Sequence, residues 1–169
     1  MDIRLLTGED AGVYWELRLE ALQQNPEAFS SSYEEAIKRE SPVEQVAKNF
    51  AAPGNFTFGA FNKGVLVGIV TLIQEQNLKL RHIAHIFAMY VTPGHQGKGI
   101  GKLLVTAAIN KAKTVEDIEK IKLSVVSTNE KANRLYNSLG FEAFGFEEKA
   151  LKVNGKYYDE YHMSLLLQK

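Results

Sequence analysis

The sequence predicts an α+β fold: one mixed, mostly antiparallel sheet with helices on both of its faces. Three observations carry this. Short β-branched and aromatic runs alternate with helical stripes along the chain, so strands and helices are interleaved. Most strand-like runs adjoin tight turns, among them Asn62-Lys63-Gly64 and Asn154-Gly155, which make antiparallel hairpins. One pair of runs is instead joined through a helix, and a helical crossover makes those two strands parallel. The 169 residues suit a single domain over 1–169.

The elements follow in order. Ile3–Leu6 is a first strand. Thr7 or Asp10 caps a helix that runs to Gln24, with Val13, Leu17 and Ala21 on one stripe, and Asn25-Pro26 ends it. Residues 27–41 read either as a loop at Ser30-Ser31-Ser32 or as a short helix capped there and running through Lys38. Pro42, suited to a first helical turn, opens a helix to Ala51, which Pro53-Gly54 breaks. Phe56–Phe61 and Val65–Gln74 form a hairpin, and Arg81–Val91 is the next strand. Gly99–Lys113 is the crossover helix, with Ile100, Leu103, Leu104, Ala107 and Ala108 apolar, and Lys120–Ser127 is the strand parallel to Arg81–Val91. Asn129–Leu139 is a helix stopped by Gly140, and a hairpin of Glu142–Val153 and Tyr157–Leu167 closes the chain.

Composition narrows the function. A hydrophobic content of 45% with zero net charge supports a folded core and excludes a disordered chain. The start, Met1-Asp2-Ile3-Arg4, lacks a signal peptide's apolar stretch, and no apolar run is long enough for a membrane helix, so a cytoplasmic protein with no membrane partner is expected. The absence of cysteine removes disulfides, thiolate metal sites and a thiol nucleophile, and no metal site is expected. The 20 bases and 20 acids are unevenly placed. Residues 76–115 hold five lysines, one arginine and no acid, a charge of +6 that leaves −6 for the remainder. An anion is thus favoured at the middle of the chain, while overall neutrality argues against a nucleic-acid binder.

The main chemical signal is the loop Pro93-Gly94-His95-Gln96-Gly97-Lys98-Gly99-Ile100-Gly101-Lys102, which follows a strand and opens a helix. Glycines let backbone N–H groups converge on one concavity, and a helix N-terminus adds partial positive charge, so the segment suits a phosphate. It is not a dinucleotide fingerprint, which would need glycine where Lys102 stands. Nor is it a Walker loop, which would need Lys-Ser or Lys-Thr directly after Gly99.

Gln96-Gly97-Lys98-Gly99-Ile100-Gly101 resembles the coenzyme A pyrophosphate loop of the Gcn5-related N-acetyltransferase (GNAT) superfamily, Gln/Arg-x-x-Gly-x-Gly/Ala. Downstream, Asn129-Glu130-Lys131-Ala132-Asn133-Arg134-Leu135-Tyr136, then Leu139-Gly140-Phe141, is similar to a second motif of that family. The resemblance covers nearly the whole chain. It implies a central parallel strand pair that splays apart, with acetyl-CoA in the gap. Met89, Tyr90 and Val91 would pair with its pantetheine arm, and Gln96, Gly97, Lys98, Gly99, Ile100, Gly101 and Lys102 would hold its pyrophosphate. Lys98 and Lys102 serve equally well as solvated surface lysines. Asn129 would contact the cofactor, cap its helix, or both, and Asn133 and Tyr136 share its helix face.

The resemblance further implies an N-acetyltransferase acting on a small-molecule or peptide amine, with Tyr136 as general acid toward the departing thiolate. With no cysteine, transfer to the amine is direct. Where some relatives carry a glutamate base, Ser124 stands here, and Ser124 alone is no base. Others place Glu or His at the position of His85. By strand alternation His85 shares a face with Phe87, Met89 and Val91, and an imidazole can accept a proton at neutral pH; a structural histidine fits the position as well. The acceptor site would draw on Phe29, Tyr33 and Glu34 in front and Asp159 behind. A homodimer is compatible with the resemblance. The alternative is a non-catalytic CoA-binding sensor or interaction module.

Overall fold

The computed structural model describes residues 1–169. Seven strands form a single sheet in the order β1-β2-β3-β4-β5-β7-β6. These are β1 (Asp2–Leu5), β2 (Asn55–Asn62), β3 (Val65–Gln74), β4 (Ile83–Val91), β5 (Lys120–Val126), β6 (Glu142–Val153) and β7 (Lys156–Leu166). The helices are α1 (Ala11–Gln24), α2 (Tyr33–Ala36), α3 (Pro42–Ala51), α4 (Ile100–Thr114) and α5 (Glu130–Ser138). Every neighbouring pair of strands is antiparallel except β4 and β5, as expected of the crossover. The ambiguous 27–41 stretch contains one turn of helix. Ser32 caps it: its hydroxyl accepts from Glu35 N at 3.1 Å, while the Glu35 carboxylate reaches back to Ser32.

The sheet separates two unequal cores. Under α4 and α5 lies a cluster of 21 buried residues, including Leu72, Ile86, Leu104, Ile121, Tyr136 and Phe141. Under α1 lies a cluster of only six, built on Leu17, Ile69 and Tyr90. Two stripes differ from the sequence expectation. Val13 and Leu103 are about half exposed, while Val105, Ile109 and Ala112 are buried instead. Each helix is rotated slightly from its simplest apolar stripe, because α4 presses on β2 and β3 as well as on β4.

The decisive irregularity is a bulge in β4. Ile69 pairs with Tyr90 and Thr71 with Phe87, so β4 spends one more residue than β3 over the same span. The extra residue is Ala88, whose φ of 53° is left-handed, a conformation that costs an L-residue about 1–2 kcal/mol. The bulge corrects the expected alternation. Ala84 and Ile86 belong to the α4-side core, yet so do Met89 and Val91, while Tyr90 belongs to the α1-side core. His85 and Phe87, whose rings stack at 5.6 Å, therefore face the α1 side and do not share a face with Met89 and Val91. The strands part just before the bulge: β4 pairs with β5 only at Ile83, Ala84 and His85, opposite Lys120, Ile121 and Lys122.

Candidate active site

The parting of β4 from β5 opens a cleft of about 920 Å³ that passes through the sheet. Its walls join the two faces. From the α4 side come the glycine loop, Asn129 and Tyr136, and from the α1 side come Arg18, Phe29 and His85.

The loop is built to present backbone donors. Pro93–His95 forms a single helical turn. His95 is tethered on both ring nitrogens, to the Thr92 hydroxyl and the Asn62 amide, each at 3.1 Å. Gln96 Nε2 donates to Val91 O at 2.9 Å and ties the loop to the end of β4. Gly97 and Gly99 then take φ of 75° and 79°, which only glycine adopts without strain. Nothing stands within 4 Å of where their Cβ atoms would be. The N–H groups of residues 97–102 donate to no protein acceptor, so six successive amides remain free at the start of α4. This is the donor set that a pyrophosphate requires.

Among the residues expected at a cofactor site, Met89, Tyr90, Val91, Gln96, Gly97, Gly99, Ile100, Gly101 and Asn129 line the cleft. Lys98, Lys102 and Asn133 do not. Lys98 Nζ donates to Gly94 O at 3.1 Å, and Lys102 is exposed. Asn133 donates to the carbonyls of Asn129 and Val126, holding the turn from β5 into α5. Asn129 caps α5, its side chain accepting from Ala132 N at 3.2 Å.

Tyr136 is 6% exposed and packs edge-on against Phe141 at 5.8 Å, yet its ring reaches the cleft and its hydroxyl makes no hydrogen bond within the protein. Burial pushes the phenol up to about 12, above its ordinary value of 10, so it stays protonated throughout the neutral range.

On the α1 side, His85 Nε2 is hydrogen-bonded to Glu75 Oε1 at 2.9 Å, and the carboxylate orients the ring. Lys122 lies beside His85 in the parallel register. Next along β5, Ser124 is not alone: its hydroxyl is hydrogen-bonded to His162 Nδ1 at 2.8 Å, and Glu147 stands 4.0 Å from His162 Nε2. Sequence reading missed His162, because Ser124 and His162 meet only through the β5–β7 register. Arg18 and Glu75 were missed for the same reason, lying far along the chain from either motif. Of the expected acceptor residues, Phe29 lines the cleft, whereas Tyr33, Glu34 and Asp159 do not. The Asp159 carboxylate accepts from Lys149 N at 2.8 Å and braces the left-handed bulge of β6.

The descriptive geometry agrees with what the chain is similar to. The model of the Acetyltransferase (GNAT) family matches residues 17–141, well over half of the chain. A spermidine N(1)-acetyltransferase from Vibrio cholerae is 29% identical over 157 residues, covering 92% of this chain and 80% of that protein. The crystal structure of a GNAT-family acetyltransferase from Streptococcus pneumoniae superposes with a TM-score of 0.88 at 26% identity, covering 98% of this chain and 99% of that one. A putative acetyltransferase, yncA, from Salmonella typhimurium, solved with its cofactor acetyl-CoA, shares the fold with a TM-score of 0.86 at 22% identity, covering 100% of this chain and 95% of that one. No helix is long and apolar enough to cross a membrane. The glycine loop, the splayed strand pair and the extent of the match together make this chain a member of the Acetyltransferase (GNAT) family.

Proposed function

We propose that this acetyltransferase moves the acetyl group of acetyl-CoA directly to the nitrogen of an amine, without a covalent enzyme intermediate. The observation that carries the reading is the splay. It exposes one edge of β4 beside six free amides on one face and two imidazoles on the other, within a single cleft. Acetyl-CoA fits these residues. Free N–H groups of residues 97–102 suit its pyrophosphate, and the unpaired edge at Met89, Tyr90 and Val91 suits its amide-bearing arm as an added strand. Asn129 lines the same cleft. When bound, acetyl-CoA supplies an acyl group activated by a thioester, whose C–S bond breaks as the amine's N–C bond forms.

The chain's own residues then have separable tasks. His85, held by Glu75, takes the proton that the amine nitrogen loses, directly or through one water. Tyr136 donates a hydrogen bond to the departing sulfur. Burial raises its phenol to about 12, which makes outright release of the proton harder. Stabilising the thiolate by donation is therefore its main contribution. The lack of cysteine supports direct transfer. A second reading of the base has its own observation: with His162 Nε2–H turned toward Glu147, Nδ1 accepts from Ser124 and can draw a proton through that hydroxyl.

The test is a thermal-shift titration with acetyl-CoA, CoA, ATP and NADH, followed by thiol release from acetyl-CoA over a panel of amines. At about 100 times its dissociation constant, a true ligand adds about 2.7 kcal/mol to stability. Stabilisation by the CoA species alone, with thiol release on at least one amine, is the expected result. Stabilisation by ATP or NADH alone, or binding of acetyl-CoA with no release on any amine, would overturn the reading.

A further inference from the structure

Three cations line the cleft, Arg18, Lys122 and Lys131, and Arg18 alone leaves a buried N–H without a partner. It projects from α1 and lays its guanidinium 4.6 Å over the ring of Phe29. None of its N–H groups donates to a protein acceptor, and Nη1 is buried with no partner at all. No carboxylate lies within ion-pair distance: Glu75 is engaged by His85, and Glu27 and Glu160, which also face the cleft, pair with nothing. The ionisable groups nearest to it in effect are the Tyr14 phenol and a second cation, Arg39. Burial, with a smaller push from Arg39, moves the guanidinium below its ordinary pKa.

Leaving such a group unpaired is costly. A guanidinium drawn partly out of water loses hydration that only a partner restores, and the buried Nη1 donor, left without an acceptor, adds a desolvation cost of its own. The fixed fork of a guanidinium matches a carboxylate, with two parallel N–H···O bonds, and stacking on Phe29 fixes the plane of that fork. The position is on the α1 face, with His85 and away from the glycine loop, so a group held there belongs to the acceptor and not to the pyrophosphate.

We propose that Arg18 binds the carboxylate of the acceptor, and that the acceptor is accordingly an amine bearing a carboxylate, of the α-amino acid class, rather than a polyamine. The inference rests on the acyl-transfer reading above. A polyamine would set further positive charge beside an unpaired arginine, whereas a carboxylate removes the cost of burying it.

The experiment compares the common L-amino acids, their carboxamides and spermidine as acceptors, by thiol release from acetyl-CoA, with the wild type, Arg18→Met and Arg18→Lys. Carboxamides have less basic amines and so more free base, which favours them unless the carboxylate is bound. Wild type is expected to prefer at least one amino acid over its amide, and both over spermidine. Arg18→Met should cut the acid-to-amide ratio of kcat/KM about 100-fold, mostly through KM, with Arg18→Lys recovering part of it. Without ligand, Arg18→Met should melt no lower than wild type, since an unpaired charge has been removed. Thiol release with equal preference for acid and amide, or best on spermidine, would overturn this inference and leave the transferase reading intact. So would loss of acid and amide activity alike, or an Arg18→Met protein that melts well below wild type. Binding of CoA with no release on any amine would overturn the transferase reading itself, and this inference with it.

Discussion

Ser124 Oγ and His162 Nδ1 are hydrogen-bonded at 2.8 Å straight across the β5–β7 ladder, where the register pairs the two residues. This places a second imidazole on the face that already carries His85 and its partner Glu75. Two histidines thus face the same side of the sheet, and each has a carboxylate near its Nε2. Their geometry differs in one respect: His85 contacts its carboxylate at 2.9 Å, while Glu147 is 4.0 Å from His162.

The tighter pair should carry the proton. His85→Gln is expected to lower kcat/KM by about 10²-fold or more, whereas His162→Gln should lower it less than about tenfold. Measurements of kcat/KM for both variants at one pH, with cofactor affinity measured alongside, check this. A larger loss in His162→Gln would transfer the base to His162.

Tyr136→Phe should reduce kcat by about 10²-fold or more, while CoA affinity changes little. Because the hydroxyl bonds to nothing in the protein and the ring packs on Phe141, deleting it should not lower the melting temperature. Equal losses in turnover and CoA binding would show a binding role instead.

Gly99→Ala tests the loop. The new methyl meets nothing within 4 Å, but φ of 79° strains it, so stability should fall by only about 1 kcal/mol. The methyl would stand in the concavity of free amides, and CoA affinity should fall tenfold or more. Calorimetric titration together with a melting curve separates the two effects.

How far the sequence speaks is clearest in β4. Its existence and its pairing with β5 follow from composition and the crossover, and the two motifs mark the loop and α5. The placing of His85 could not follow, because an extra residue at Ala88 reverses strand alternation and no local signal announces a non-glycine residue with positive φ. His162, Glu75 and Arg18 were equally hidden. Each enters the cleft by register or helix packing, which depends on the whole sheet and not on the neighbours of any one residue. Asn133 and Asp159 show the converse. Polar residues in suggestive positions serve the backbone, satisfying carbonyls at a helix start and an N–H at a bulge.

Away from the cleft, Asp10 gives an acid-sensitive clasp. The Arg4 guanidinium bonds its carboxylate at 2.8 and 2.9 Å, and Thr7 N adds a third bond. Arg4, with help from Thr7 and against some desolvation, holds the carboxyl at about 2 instead of 3.8. The depressed value means that its stabilisation is full above about pH 4 and disappears as pH falls toward 2. Asp10→Asn should cost about 1 kcal/mol at neutral pH, and its melting temperature should converge with that of wild type by pH 2.

The parting of β4 and β5 also gives one strand two identities. Up to His85, β4 is an interior strand, hydrogen-bonded on both sides; from Ile86 onward only β3 pairs with it, and its other side is an edge. Sheet edges invite pairing with other chains, and proteins ordinarily blunt them with charge, proline or a covering element. Here the edge lies inside the molecule, within a cleft, where another protein's strand has poor access but a thin, amide-bearing molecule does not. Amide protons on this edge should exchange with solvent far faster than those of the first half of the same strand, and should slow when acetyl-CoA is added. The recess that keeps the edge from other chains leaves it open to the cofactor.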